Sequence, residues 1–148
     1  MTYTLLDELA GSQLLMIGML RLTADDDSAR IGAWSLRDMA AHLAATERDC
    51  YEPRIRAIAA GHNPRFDYFT NDDADFDGLQ LDDVLEEWVG TRERLIAFIR
   101  DLDEQAWALS GYHERYGEVT VEGYLQIALA HDRDHLRALE QLAGAPKR

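Results

Sequence analysis

Four stretches of this chain repeat their apolar residues at the 3.6-residue period of a helix, and none shows the strict alternation of an amphipathic strand. The first runs from about Tyr3 to Leu22, with Leu5, Leu9, Met16 and Leu20 on its apolar side. The second opens at Ser35 and is expected to continue to Ala60 and stop at Gly61. Ser35 is a suitable N-cap, Asp38 three residues on forms a weak capping box, and Trp34 and Met39 occupy the two positions of a hydrophobic staple. The third runs from about Leu81 to Leu102, with Leu81, Leu85, Trp88, Leu95 and Ile99 in register. The fourth starts behind Thr120, where Val119 and Tyr124 could form another staple, and ends at Gly144, followed by Pro146. At 148 residues such a chain forms one domain, 1–148, with enough length to bury a core. The expected fold is all-α, a four-helix bundle.

The connections restrict how the helices are arranged. About a dozen residues, "TADDDSARIGAW", join the first two and permit an antiparallel pair. About twenty, "GHNPRFDYFTNDDADFDGLQ", separate the second from the third. A helix of the second segment's size is about 36 Å long, and twenty extended residues reach roughly 66 Å. This crossover can therefore travel the length of the bundle and leave helices two and three parallel. Loops of that length inside a domain usually have a task. The third connection, "DEQAWALSGYHERYGEV", is expected to contain a short helical turn around Trp107.

Charge narrows the range of partners. A formal net charge of −13 repels nucleic acid and anionic membranes, and there is no basic stripe to offset it; Lys147 and Arg148 alone do not make a groove. No apolar run approaches the ~20 residues of a membrane span. The opening "MTYTLLDELAGSQ" lacks the basic start of a signal peptide. A single cysteine, Cys50, cannot form an internal disulfide, which suits a cytoplasmic location.

The chemistry is concentrated in "HDRDH", residues 131–135. Projected at 100° per residue, His131 and His135 lie with Val121, Tyr124, Ala128, Leu139 and Leu142 in the middle of the fourth segment's apolar stripe, opposite Glu122, Gln126, Arg133, Arg137 and Glu140. Two adjacent buried imidazoles need two sets of hydrogen-bond partners, or a metal ion. Histidines at i and i+4 aim their ring nitrogens at one point, although H-x-x-x-H alone is a weak pattern, equally met by histidines lining a wet crevice. His42 is the best candidate for a third ligand: if the second and fourth helices run antiparallel, it lies at a similar depth.

Three stretches together, "WSLRDMAAHLAATE" (34–47), "YGEVT" (116–120) and "HDRDHL" (131–136), resemble the DinB/YfiT-like superfamily over nearly the whole chain. The resemblance implies a four-helix bundle in up-down-down-up order with a long crossover, and a divalent metal held by His42, His131 and His135. It also implies a metal-dependent enzyme acting on a small molecule, either a hydrolase or a transferase using a low-molecular-weight thiol, and a homodimer. The broad apolar run "LLMIGMLRL" in the first segment agrees with the dimer. The metal could be zinc, nickel, manganese or iron.

Three protein ligands leave positions open for water and substrate, the catalytic pattern of metal site. A general acid or base would act beside it, and Glu47 is the first candidate; an ion pair with Arg54 or with another helix explains the same residue. Asp132 is weighed as an acceptor orienting a ligand imidazole against a packing role. Tyr124 and Cys50 are read as core, against a donor to substrate and a nucleophile, and His62 and His113 as surface histidines, with the pocket mouth as the alternative for His113. Arg54, Arg56 and Arg65 are candidates for holding a cofactor's carboxylates. "DADFDG" (73–78) imitates the start of a calcium loop, but its twelfth position is Val84 rather than glutamate, so it reads as a solvated acidic turn. The competing functions are a non-catalytic metal-binding or ligand-sensing helical dimer, and a metal-free dimerisation module.

Overall fold

The computed structural model describes residues 3–23 and 29–144. The middle of the first connection (24–28), Pro146 and the Lys147–Arg148 tail lie outside the described residues. Helices dominate. The first is α1 (Tyr3–Thr23); the second segment comprises α2 (Leu36–Thr46), a π-helical turn (Glu47–Tyr51) and α3 (Glu52–Ala59); the third is α4 (Leu81–Arg100) and the fourth α6 (Val121–Ala143). A short helix, α5 (Glu104–Ala108), forms around Trp107.

The helix starts are set by side chains. Ser35 Oγ accepts from the Asp38 amide while Asp38 accepts from the Ser35 amide, a complete capping box. Thr120 accepts from the Gly123 amide and Asp103 from the Ala106 amide, starting α6 and α5. Gly61, at φ +80°, ends the second segment with a backbone conformation that glycine adopts without a Cβ clash.

The second segment is not one regular helix. Proline at position 53 has no N–H to give to residue 49, and its ring would clash with that carbonyl in a continuous α-helix. The chain widens instead into the π turn, in which the Glu52 amide donates to the Glu47 carbonyl. The extra residue brings Glu47, Cys50 and Tyr51 all into the interior.

The expectation of an all-α chain is corrected by two small sheets. β1 (Arg30–Ile31) and β2 (Trp34–Ser35) form an antiparallel pair; β3 (Arg65–Phe66), β4 (Ser110–His113) and β5 (Gly117–Thr120) form a second sheet in which β3 runs parallel to β4. Strands of two to four residues are too short to leave a readable alternation. β3 comes from the long crossover, which is thereby fastened to the β4–β5 hairpin. Gly111 permits this close approach: a Cβ there would stand 2.8 Å from the Pro64 carbonyl oxygen. That same carbonyl accepts from the Tyr112 amide. Gly111→Ala is expected to destabilise the protein by about 1–3 kcal/mol, the usual cost of overpacking, read as a lower urea midpoint.

α1 packs on α6, and α2 on α4. Their apolar faces build two cores. One contains Leu6, Ile55, Leu95, Ile99 and Leu125; the other contains Met16, Met39, Leu85, Trp88 and Leu139. A buried polar layer lies between them. Arg92 of α4 is 3% exposed and forms ion pairs of 2.5 Å with both Glu47 and Asp132. It also donates to the Leu9 carbonyl, while Ser12 donates to Asp132 and Gln13 to the Trp88 carbonyl. α1, the π turn, α4 and α6 all contribute to this layer. Among the described residues no helix is long and apolar enough to cross a membrane.

Candidate metal centre

His42 projects from α2 toward α6, where His131 and His135 sit one turn apart. His42 Nε2 lies 3.3 Å from His131 Nε2, which lies 3.0 Å from His135 Nε2. One ligand atom from each of the three falls within 4.8 Å of the others. Metal–nitrogen bonds of about 2.0–2.1 Å at a tetrahedral centre place neighbouring nitrogens about 3.3 Å apart, so these spacings suit an ion shared by the three rings. Burial holds all three imidazoles below the ordinary histidine pKa. His131 is lowered to about 3 by burial and by its two histidine neighbours, and His135 to about 4 by burial and by His42. Burial lowers His42 too, against the hydrogen bond that it donates to Asn71 and the charge of Asp72. Neutral rings with available lone pairs are the form that binds metal. The three histidines could therefore hold a metal ion.

The ring of His42 is oriented from behind. Its Nδ1 lies 2.5 Å from Asn71 Oδ1, while Asn71 Nδ2 donates to the His42 carbonyl and to Thr46 Oγ1. With the amide held that way, Oδ1 faces the ring, so Nδ1 carries the proton and Nε2 is left free to ligate. Trp34 covers the same ring at 4.4 Å between centroids. Asn71 belongs to the long crossover and was not singled out by sequence reasoning; the only pointer was the length of the loop. Asn71→Ala is expected to weaken zinc binding about 10–100-fold, measured by calorimetric titration.

The centre opens on a cavity of about 910 Å³. Its walls include Met39, Tyr51 and Ile127, together with Tyr68, Phe69, Asn71 and Asp72 of the crossover. Glu47 is not among its lining residues. Its carboxylate is 1% exposed and faces Arg92 and Trp88, so the interhelical ion pair is the arrangement found. Burial pushes the Glu47 carboxyl up in pKa, opposed by Arg92, while Glu47 and Asp132 keep Arg92 charged against its own burial. Asp132 is occupied by Arg92 and Ser12, with no hydrogen bond to an imidazole among the described residues.

Four other residues line the cavity. His113 is buried rather than on the surface and lines the cavity beside Tyr116, in line with the alternative that it borders the pocket. Tyr124 and Cys50 are buried as expected, yet both line the cavity and lie within 3.5 Å of each other. Arg54 lines it as well. By contrast Arg56 pairs with Glu52 and stacks on Phe98, Arg65 covers Tyr112, and His62 is exposed. Asp73, Asp75 and Asp77 are exposed in the crossover, as expected of a solvated acidic loop.

The family model described as the DinB superfamily matches residues 2–139, nearly the whole chain. The chain belongs to the DinB superfamily. Its three convergent histidines are thus found on a DinB fold. Among solved structures, YfiT from Bacillus subtilis matches with a TM-score of 0.73 at 18% identity, over 97% of this chain and 88% of that one. That protein is described as a probable metal-dependent hydrolase with an unusual four-helix bundle topology. No curated protein matches this DinB chain.

Proposed function

We propose that this DinB protein is a metal-dependent hydrolase of a small molecule, with a divalent ion held by His42, His131 and His135. The observation that carries the reading is the convergence of three imidazoles, His42 buried and His131 and His135 half-buried, on an open cavity. Three protein ligands leave room for water and substrate. A divalent ion bound there would supply an acidified water and polarise a carbonyl. The chain's own residues do the rest: Asn71 sets the His42 tautomer, Trp34 and Tyr51 wall the ligands, and the crossover closes one side of the cavity. Glu47 takes a positioning role through Arg92 rather than moving protons.

Residues 1–148 form one domain with its helices in up-down-down-up order. Core membership supports that order: the early residues of α4 share a core with the early residues of α2, and its late residues share one with α3. The protein acts in the cytoplasm, binds neither nucleic acid nor membrane, and pairs as a homodimer through the exposed Leu15 and Leu22 of α1. Sedimentation as a monomer at high concentration would remove the dimer.

Elemental analysis of untagged protein, followed by ester, amide and thiol-conjugation panels, tests the function. Stoichiometric metal with chelator-sensitive hydrolysis is the expected result. Turnover only with an added thiol would make the protein a transferase, and metal without turnover would leave a binding or sensing bundle.

A further inference from the structure

The cavity has a second polar end that metal binding does not use. Arg54 of α3 stands with its guanidinium 4.8 Å from the Phe66 ring centre and 5.9 Å from that of Phe69, and donates to the Tyr124 hydroxyl at 3.0 Å. Two phenyl rings and a phenol hold the fork in place. Among the described residues no carboxylate pairs with it; the other arginines without an ion pair are exposed, whereas Arg54 is half-buried and lines the cavity. In a chain with 28 acidic and 15 basic residues, a half-buried arginine without an acid is a seat for an anion from outside. His113 adds a second donor. Its Nδ1 accepts from the Arg115 amide at 3.0 Å, so its proton is on Nε2, which has no hydrogen-bond partner among the described residues. Tyr124 and His131 are seven residues apart on one face of α6, about 10.5 Å along the helix.

We propose that Arg54, with Tyr124 and His113, receives a carboxylate of the substrate while the reacting end of the same molecule lies at the three histidines. The planar fork of arginine matches a carboxylate with two parallel N–H donors, and the aromatic walls between the two ends accommodate an apolar or planar spacer. The substrate is a small carboxylic acid whose hydrolysable group is separated from its carboxylate by about 10 Å. This inference rests on the metal reading only for what happens at the far end.

The test uses zinc-loaded full-length protein and two probes of equal length, suberic monohydroxamate and its terminal primary amide. Both carry the same metal-binding head, and only one carries the anion. In calorimetry the carboxylate probe is expected to bind about 10–100-fold more tightly, the range for charge-assisted hydrogen bonds. Arg54→Gln should abolish that difference without changing zinc affinity, and Arg54→Lys should restore part of it; circular dichroism verifies that both fold. Equal binding of the two probes to the wild type, or a difference that survives Arg54→Gln, overturns the proposal. If zinc itself does not bind, the metal reading has failed, and suberate titrated into metal-free protein decides the anion seat: saturable binding lost in Arg54→Gln supports it, and no binding to the wild type overturns it.

Discussion

Arg92→Leu is expected to lower unfolding free energy by about 3–5 kcal/mol, the range found when one partner of a buried ion pair is removed. The guanidinium satisfies two carboxylates at once, and both Glu47 and Asp132 are 1% exposed. Without it, Ser12 still donates to Asp132 and Trp88 Nε1 to Glu47, but neither carries charge to offset a buried anion. Against a total stability of about 5–15 kcal/mol, such a loss leaves the protein near its folding threshold at room temperature. Urea unfolding measures it directly. A loss below about 1 kcal/mol would mean that the two carboxylates are protonated or reach water, contrary to the layer described. The combined variant Glu47→Gln, Asp132→Asn, Arg92→Met should recover most of the stability, because it removes the charges together. That recovery separates an unpaired-charge effect from lost packing.

His131→Ala and His42→Ala should each abolish the stabilisation that metal confers. An ion held by α2 and α6 together binds the folded chain selectively, so it raises stability by about 2.7 kcal/mol at a hundred times its dissociation constant. His131 is the central ring, with both other Nε2 atoms within 3.3 Å. His42 is the ring through which an ion would link the two helices. The apo variants should remain helical, because both apolar cores exclude these side chains. Replacing the exposed His62 should leave metal affinity unchanged. Calorimetry with zinc, nickel and manganese on the wild type and the three variants checks each statement. Undiminished affinity in His131→Ala would place the metal elsewhere.

Local signals carried much of this structure. Ser35 with Asp38, Thr120 before α6 and Gly61 after α3 mark helix ends through contacts within a few residues, so they can be read without knowing the fold. His131 and His135 share a face by helical geometry alone. The π turn was also signalled, by the proline four residues after position 49, but the apolar pattern reads through it. Arg92 occupies the apolar stripe between Trp88 and Leu95, a visible anomaly whose meaning depends on Glu47 and Asp132, 45 and 40 residues away. Asn71 is harder still: it meets His42 across 29 residues through a loop whose path is set by β3 pairing with β4. Long-range polar contacts of this kind leave no periodicity to detect.

The polar layer also acts as an alignment gauge for the histidines. Glu47 follows His42 by five residues on one segment, and Asp132 directly follows His131 on another; both carboxylates close on one guanidinium. Sliding either helix by one turn, about 5.4 Å, would break an ion pair, so the folded chain fixes the relative height of the three imidazoles before any ion arrives. A variant that loosens this gauge, such as Asp132→Ala, should therefore bind metal more weakly even though no ligand has changed, while a gauge left intact makes metal uptake a matter of filling a finished socket rather than assembling one.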